Sequence, residues 1–277
     1  MLNSLKTYYR LKRSDFLSQL RLKILGPNVT GLMIKSQNGT IVVDPEDVGV
    51  GWELAKNGVY GQDLLDALLP LIGPESKVLV AGAHVGSLAI PLAKVAAEVT
   101  AFEANPNTYR YLELNRQLNQ SNNLTLIPLA LGSSSGTLQF LLSRVNSGGS
   151  KRLPKQAHIA YYSDKPEVVD VAMTAADETL PDATFDLIIM DIEGSEADAL
   201  KGMPNLLSRA KYLFIEYLPH HLDLVAGVTD EEFVALLSPH FFTAKHHGSD
   251  LTGQSPNLLP FFKSLRELGG GDVLMTK

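Results

Sequence analysis

The stretch VLVAGAHVG at residues 78–86, followed by FEANP at 102–106, decides the fold of this chain. The first segment predicts a short apolar strand that runs into a tight glycine turn and then a helix. The second predicts the end of the next strand, which closes on the acid Glu103. A strand, a glycine turn, a helix and a strand ending in an acid form the nucleotide half-site of a Rossmann-like sheet.

The glycines of this turn favour one kind of nucleotide. They stand at positions 82 and 86, so the third glycine of the dinucleotide fingerprint Gly-x-Gly-x-x-Gly is missing. Glu103 lies 17 residues beyond Gly86, close to the spacing expected of a carboxylate that accepts hydrogen bonds from both ribose hydroxyls. Because S-adenosylmethionine has no phosphate and tolerates a looser turn, the pattern favours it over NAD. An ordinary strand–helix turn is the alternative.

The composition restricts the class of protein. With 277 residues, 45% of them hydrophobic, the chain can bury the core of one large domain or of a domain with a cap. The absence of cysteine excludes disulfides, a thiol nucleophile and cysteine metal ligands. No apolar run approaches the ~20 residues that span a bilayer, and no apolar signal-peptide segment opens the sequence. We therefore expect a cytoplasmic protein.

Charge is distributed unevenly along the chain. Residues 1–25 carry a net charge of +5 and the remainder carries −11. The acidic body argues against a nucleic-acid partner. The basic segment also has apolar residues at the spacing of an amphipathic helix, and two interpretations stay open. It packs on the domain as a solvated helix, or it makes a peripheral contact with an anionic membrane or a partner.

The chain is predicted to have two parts. Residues 1–72 form a basic helix over 1–25, a hairpin over 31–43 with Asn38-Gly39 at its turn, and a helix over 61–72, which together make a small cap. Residues 73–277 form a Rossmann-like domain. Its predicted strands are 77–81, 98–102, 124–129, 136–142, 168–173, 185–190, 211–216, 241–246 and 272–276, and its predicted helices are 87–97, 106–119, 195–208 and 229–238.

The alternation of strands and helices predicts a mostly parallel sheet. The last two strands are joined by a loop or short helix around 256–268, so we expect an antiparallel pair at the sheet edge. This ending is typical of class I methyltransferases and argues against a dehydrogenase. A flexible loop is predicted over residues 146–150.

A second informative stretch, MDIEGSE, covers residues 190–196. Four apolar residues at 187–190 predict a buried parallel strand, so Asp191 falls at its carboxyl end, where open α/β sheets bind ligands. We expect Asp191 to face the first half-site. Glu193 is predicted either to act in the site or to cap the next helix.

Five motifs carry a resemblance to a known family. They are VLVAGAHVG at 78–86, FEANP at 102–106, IPLALG at 127–132, NSGG at 146–149 and MDIEGSEADALKG at 190–202. In this set and order the chain resembles the FkbM family of S-adenosylmethionine-dependent methyltransferases over roughly residues 40–220. The resemblance implies a Rossmann-like class I methyltransferase fold and methylation of a hydroxyl on a small molecule, such as a sugar, glycan or polyketide-like product. The family's acid in the first motif is Val80 here, and its Asn is His84.

The residues expected to bind S-adenosylmethionine follow from these motifs. The residues of the glycine turn are expected to line the methionine end of the cofactor, and Glu103 is expected to accept hydrogen bonds from the ribose hydroxyls. The two residues that follow Glu103 are expected to flank the adenosine. The two residues that follow the third predicted strand are expected to border the adenine. The full set is Gly82, Ala83, His84, Val85, Gly86, Glu103, Ala104, Asn105, Ala130, Leu131 and Asp191.

Methyl transfer to a hydroxyl needs alignment of the acceptor and removal of its proton. The candidates for catalysis are Asp191, Glu193 and His220. The same three residues do not follow a recognised metal-ligand spacing, so no metal is expected. The oligomeric state is not predicted.

Two other interpretations of the function stay open. One is a methyltransferase-like binding protein that has lost catalysis, as Val80 suggests, and the other is an NAD-dependent oxidoreductase.

Overall fold

The computed structural model describes the backbone of residues 2–277 and the side chains from residue 12 onward. Part of the predicted amphipathic face of the basic segment lies outside the described side chains. The first part of the chain contains a long helix, a hairpin and two short helices. Their bounds are α1 Leu2–Leu25, β1 Leu32–Ser36, β2 Gly39–Val43, α2 Val50–Asn57 and α3 Gln62–Leu68.

The rest of the chain alternates strands and helices around a central insertion. The first half-site is β3 Lys77–Ala81, α4 Ala89–Ala93, β4 Glu98–Phe102, α5 Pro106–Leu118 and β5 Leu124–Ile127. The insertion is β6 Ala130–Leu131, β7 Gly136–Leu142, β8 Lys151–Arg152, β9 Glu167–Thr174 and α6 Ala176–Thr179. The last part is β10 Leu187–Met190, α7 Glu196–Lys201, α8 Pro204–Arg209, β11 Tyr212–Tyr217, α9 Pro219–His221, α10 Asp230–Leu237, β12 Thr243–His246, β13 Thr252–Gln254, α11 Leu259–Leu268 and β14 Gly271–Thr276.

The main sheet has eight strands in the order β13-β12-β14-β11-β10-β3-β4-β5. Strands β11, β10, β3, β4 and β5 are parallel neighbours, and β14 pairs antiparallel with both β11 and β12. All four residues of β10 are buried, as expected of a strand covered on both faces. Because the central strands are parallel, the carboxyl ends of β3, β4, β10 and β11 meet at one edge of the sheet. The predicted α/β fold with a mostly parallel sheet is confirmed.

The insertion builds a second sheet beside this edge. Its four strands have the order β6-β9-β7-β8. The long pair β7 and β9 is antiparallel, with Leu142 opposite Glu167 and Gly136 opposite Met173. The two strands predicted at 136–142 and 168–173 are therefore confirmed, and the loop between them carries the NSGG motif.

Three elements differ from the prediction. The expected helix over 195–208 is divided into α7 and α8, because Pro204 starts a new helix and restricts the backbone of Met203 before it. The helix expected over 87–97 is shorter, covering Ala89–Ala93. The strands β12 and β14 pair antiparallel, as predicted, but the prediction that this pair forms the edge of the sheet is wrong. The unpredicted strand β13 covers β12, so β14 lies inside the sheet.

The hairpin packs on one face of the main sheet. Ile41 and Leu54 from the first part belong to the same buried cluster as Val80 and Ile189 from the sheet. The side chain of Asn115 reinforces this packing, because it accepts a hydrogen bond from the Val42 N–H (2.6 Å) and donates to the carbonyls of Val42 and Val85. The hairpin is thereby joined to the turn after β3. The predicted boundary between residues 72 and 73 stays a prediction.

Helix α1 is attached through polar contacts. Arg21 donates to the carbonyl oxygens of Pro45 and Asp47 and stacks on the ring of Trp52. Two large apolar side chains of this helix, Phe16 and Ile24, remain 64% and 76% exposed. Among the described residues, no helix is both long enough and apolar enough to cross a membrane.

Candidate active site

The turn after β3 is shaped by residues in the left-handed region of backbone space. Gly82, His84 and Gly86 have φ values of +85°, +51° and +90°. A Cβ atom at Gly82 would collide with the backbone carbonyl of Asp191, so only glycine lets the turn approach the end of β10. His84 is not a glycine, but histidine and asparagine both adopt this conformation more readily than most residues. This explains how His84 occupies the position of the family's Asn.

Glu103 at the end of β4 connects this turn to the next one. Its Oε2 accepts a hydrogen bond from the His84 N–H (2.7 Å), and its Oε1 accepts one from the Asn105 N–H (2.8 Å). Only 8% of the residue is exposed. Burial raises the pKa of Glu103 to about 7, while the two N–H donors act to lower it. The carboxylate therefore orders the glycine turn and still faces the cavity described below.

The NSGG loop is held in place, although a flexible loop was predicted there. The Ser147 hydroxyl donates to the buried Oδ2 of Asp47, and its oxygen accepts from Nε2 of His84 at 2.7 Å. Asn105 Nδ2 donates to Ser150 Oγ at 3.1 Å. The loop is thus joined to the first part of the chain and to both half-site turns.

His84 lies between the loop and the cavity as a neutral ring. Burial lowers its pKa, and the nearby Asp47 carboxylate acts against that effect. Because Nε2 donates to Ser147, Nδ1 carries a lone pair, and this atom is buried without a hydrogen-bond partner.

Asp191 follows β10 and is accessible to solvent through the cavity, while protein surrounds it on the other sides. Burial raises its pKa well above the usual range, and the charges of Glu193, Glu196 and Asp272 add to this effect, whereas Lys151 opposes it. The second acidic residue of the motif, Glu193, has a φ of +54°. This unusual backbone conformation turns the chain sharply between β10 and α7.

Glu196 supports that sharp turn. Its two carboxylate oxygens accept hydrogen bonds from the N–H groups of Ile192 and Gly194, both at 2.9 Å. The residue is 5% exposed, and burial raises its pKa to about 7. Glu196 therefore fixes the backbone that carries Asp191 and Glu193.

Two buried side chains, Lys151 and His221, and the half-buried Tyr161 adjoin Glu193. Lys151 Nζ donates to Glu193 Oε2 at 2.7 Å and lies 3.2 Å from Nε2 of His221. The His221 ring is also 3.3 Å from Glu193 Oε2, and Lys151 lies over the ring of Tyr161. Burial lowers the pKa of His221 to about 2, and the positive charge of Lys151 adds to this effect. The ring is therefore neutral.

The two adjacent histidines are placed differently. His220, the one predicted for catalysis, is exposed and does not line the cavity, whereas His221 is buried beside Glu193. Sequence reasoning missed the roles of Lys151, His221 and Asp47. The doubled histidine after β11 was a signal for His221, and Lys151 follows the NSGG loop directly, but Asp47 had no local signal.

These elements enclose a cavity of about 170 Å³ at the carboxyl edge of the sheet. Nine of the predicted site residues line it. They are Gly82, Ala83, His84, Glu103, Ala104, Ala130, Leu131, Asp191 and Glu193. Val85, Gly86 and Asn105 lie behind this lining and shape the two turns. The lining contains three carboxylates and, among the described side chains, no lysine or arginine.

The parallel sheet with its antiparallel last strand, and the cavity at the strand ends, define a Rossmann-like methyltransferase fold. The sequence matches the Methyltransferase FkbM domain over residues 81–247, and the chain therefore belongs to the FkbM methyltransferase family. The resemblance inferred from the five motifs is confirmed. Membership of this family implies S-adenosylmethionine as the methyl donor.

Several known proteins are similar to this chain. Over 179 residues it is 27% identical to the hexuronic acid methyltransferase AglP of Haloferax volcanii. The matched region covers 64% of this chain and 67% of that protein. Among solved structures, the methyltransferase FkbM from Methylobacillus flagellatus KT is 16% identical with a TM-score of 0.43, covering 73% of this chain. An rRNA methylase from Streptococcus thermophilus is also 16% identical, with a TM-score of 0.45, covering 76% of this chain and 92% of that one. The chain spans 44% of the length of the Methylobacillus flagellatus structure.

Proposed function

We propose that the protein transfers a methyl group from S-adenosylmethionine to a hydroxyl of a sugar, a glycan or a related small molecule. The charge of the cavity carries this proposal. Glu103, Asp191 and Glu193 line it, and the ring of His84 is neutral. S-adenosylmethionine carries a positive sulfonium and a positive amino group against one carboxylate, so its net positive charge suits such a lining. The pyrophosphate of NAD would meet three acids without a lysine or arginine to pair with it.

The described residues fit the cofactor. Glu103 uses one lone pair on each oxygen for a backbone N–H, so further lone pairs remain to accept the ribose hydroxyls. Ala104 is proposed to flank the adenosine, with Asn105 behind it in the turn, and Ala130 and Leu131 to border the adenine. The turn over residues 82–86 would lie against the methionine end.

Val80 does not prevent this arrangement. Its side chain is 2% exposed and packs in the core of the sheet with Ile189. Glu103 accepts the His84 N–H, so we propose that it orders the turn without a carboxylate at position 80. Positive charge at the methionine end would be balanced by Asp191.

When bound, S-adenosylmethionine supplies an electrophilic methyl group on a positive sulfur. The protein must place the acceptor oxygen against it, exclude water and take up the hydroxyl proton. Asp191 is our first candidate for that base, because its raised pKa makes its carboxylate a better proton acceptor. Glu193 is the second, although Lys151 holds one of its oxygens. His220 remains a weaker candidate because it lies off the cavity.

The relative supports the proposed acceptor class. The similar protein from Haloferax volcanii is a hexuronic acid methyltransferase, so a sugar or glycan hydroxyl is the acceptor to test first. The NSGG loop borders the cavity through Asn146, Ser147 and Gly148 and would exclude water from the bound acceptor.

Calorimetric titration tests the cofactor. We expect S-adenosylmethionine and S-adenosylhomocysteine to bind and NAD not to bind. Incubation with methyl-labelled cofactor and a panel of uronic acids, neutral sugars and their glycans would then identify the acceptor. Failure of both adenosyl compounds to bind would contradict the proposal. Binding without methyl transfer to any acceptor would favour the methyltransferase-like binding protein instead.

We also propose that α1 makes a peripheral contact with an anionic membrane. Phe16 and Ile24 are exposed, and the segment over residues 1–25 is basic. Co-sedimentation with vesicles containing anionic lipid should fall when both apolar residues are replaced by serine. Equal sedimentation of the variant and the unchanged protein would contradict the contact.

A further inference from the structure

Two hydroxyl-bearing residues from separate parts of the chain line the cavity beside the glycine turn. Tyr60 lies just before α3, and Ser87 directly follows the turn over residues 82–86. Tyr60 belongs to the first part of the chain, outside the region over 81–247 that matches the family. Any role of Tyr60 in the site must therefore be inferred from its position in this structure.

A buried asparagine holds these two residues together. Nδ2 of Asn38 donates to the carbonyl oxygens of Tyr60 and Ser87, both at 2.8 Å, and its Oδ1 accepts the Tyr60 N–H at 2.9 Å. The close approach continues one residue further, because a Cβ atom at Gly61 would lie 3.5 Å from Cδ2 of Leu88. The backbone of Tyr60 is thus fixed beside that of Ser87, at the start of the methionine end proposed above.

The hydroxyl groups of both residues are free to bind a ligand. In the described part of the chain, the hydrogen bonds of Tyr60 and Ser87 use main-chain atoms only. Burial raises the pKa of the Tyr60 phenol, and the charge of Asp191 adds to this effect. The phenol therefore keeps its proton at neutral pH, so Tyr60 and Ser87 are two uncharged donors.

S-adenosylmethionine brings one negative group into this acidic cavity. Its sulfonium and amino groups are positive, but its α-carboxylate would meet a lining that contains Glu103, Asp191 and Glu193. Among the described side chains, no lysine or arginine lines the cavity to pair with that carboxylate. Because a carboxylate that leaves water without hydrogen-bond donors is strongly destabilised, the site needs donors for it.

The position of the two hydroxyls suits that carboxylate. The amino and carboxylate groups of an amino acid are attached to the same carbon atom, so the protein groups that bind them must be neighbours. Asp191 is proposed above to balance the positive charge at the methionine end. After burial, the charge of Asp191 has the largest effect on the pKa of Tyr60, as expected of two groups that face the same part of the cavity.

We propose that the hydroxyls of Tyr60 and Ser87 donate hydrogen bonds to the α-carboxylate of S-adenosylmethionine. Asn38 is then a positioning residue, because it fixes the backbone of one donor beside that of the other. The assignment rests on the proposed function, and it makes the first part of the chain a component of the cofactor site.

The test removes a hydroxyl from the protein and a carboxylate from the ligand. Calorimetric titration compares S-adenosylmethionine with decarboxylated S-adenosylmethionine, which keeps the sulfonium and the amino group. In Tyr60→Phe we expect S-adenosylmethionine to bind at least about 10-fold more weakly, as for the loss of one hydrogen bond to a charged group. The affinity for the decarboxylated compound should not change. Ser87→Ala should show the same selective loss.

Tyr162→Phe is the matched control, because it removes the same hydroxyl from an exposed ring that does not line the cavity. This variant should bind both compounds as the unchanged protein does. Tyr60→Phe keeps the aromatic ring, so its circular dichroism and unfolding temperature should match those of the unchanged protein. If Tyr60→Phe does not fold, Ser87→Ala carries the test.

The outcomes separate this inference from the proposed function. An equal loss of affinity for both compounds in Tyr60→Phe and Ser87→Ala would overturn the contact with the carboxylate. Unchanged affinity for both compounds would also overturn it and would leave the acceptor as the group that the hydroxyls face. In both cases, binding of S-adenosylmethionine to the unchanged protein would still support the proposed function. If the unchanged protein binds neither compound, both proposals are contradicted.

Discussion

The backbone N–H of His84 donates a 2.7 Å hydrogen bond to Oε2 of Glu103, which joins the turn after β3 to the end of β4. The same carboxylate accepts the Asn105 N–H through its other oxygen. One buried acid thus fixes the two turns that form the walls of the cavity. Its ordering role and its proposed contact with the ribose hydroxyls both require the ionised form.

Cofactor affinity should therefore depend on pH through Glu103. Burial raises its pKa to about 7, so the cofactor, which binds the ionised form, should bind more tightly from about pH 6 to about pH 8. The contribution of Glu103 to folding stability changes with pH in the opposite direction. Between pH 4.5, the usual pKa of a glutamate, and about pH 7, the folded chain keeps a proton on Glu103 that the unfolded chain releases. The free energy of unfolding therefore falls as the pH rises through this range. Calorimetric titration across the range measures the first effect.

Replacing the acid by its amide tests the same residue without changing its size. In Glu103→Gln the amide group cannot accept at both positions, so we expect about a 10- to 100-fold loss of affinity for S-adenosylmethionine, from about 1.5–3 kcal/mol for a hydrogen bond to a charged group. The pH dependence between pH 6 and 8 should disappear. An unchanged slope in the variant would assign that pH dependence to another group.

His84 should hold the NSGG loop through Ser147. In His84→Asn the shorter side chain cannot reach Ser147 Oγ, yet asparagine accepts the left-handed backbone at this position. We expect faster hydrogen exchange at the amides of Gly149 and Ser150 and a several-fold weaker binding of S-adenosylmethionine, with nearly unchanged stability. Unaltered exchange would show that the bond from Ser147 to Asp47 is sufficient to hold the loop.

Gly82→Ala should destabilise the fold severely. The residue has a φ of +85°, and an added Cβ would meet the Asp191 carbonyl. The strained backbone costs roughly 1–3 kcal/mol, and the collision adds to that cost. Urea unfolding should show a free energy of unfolding lower by more than about 2 kcal/mol. Gly73→Ala is the control, because its Cβ meets nothing within 4 Å, and its effect should stay within about 0.5 kcal/mol.

The attachment of the hairpin to the sheet should depend on Asn115. Its removal in Asn115→Ala leaves the Val42 N–H and the Val85 carbonyl buried without a partner. At about 1–3 kcal/mol for each of these two groups, we expect a loss of about 2–6 kcal/mol in the free energy of unfolding. Asn107→Ala on the same helix, where the side chain is exposed, should change little. A small effect of Asn115→Ala would mean that apolar packing alone holds the hairpin.

The sequence predicted the strands and their acids well because both depend on local patterns. The apolar run at 187–190 and the glycines at 82 and 86 identify the ends of β10 and β3, and parallel pairing then brings Asp191 and Glu103 to one edge. The antiparallel last strand also followed from the spacing of the last elements. The break between α7 and α8 was missed because the apolar periodicity continues across it, although Pro204 marks it.

The residues missed by sequence reasoning are those whose roles depend on distant contacts. Asp47 and Ser147 are 100 residues apart, and no local pattern indicates that a loop in the insertion is fixed by an acid from the first part of the chain. Likewise, His221 rather than His220 enters the site because the helical turn after β11 points only one of two adjacent rings inward. Deciding between neighbours of this kind requires the three-dimensional packing.

The position of β14 has a consequence for the integrity of the sheet. The hairpin of β12 and β13 is earlier in the chain, yet it reaches the parallel strands only through β14. This later strand therefore joins the hairpin to the rest of the sheet. Loss of β14 would leave β12 and β13 without a neighbour among the parallel strands, although both precede it in sequence.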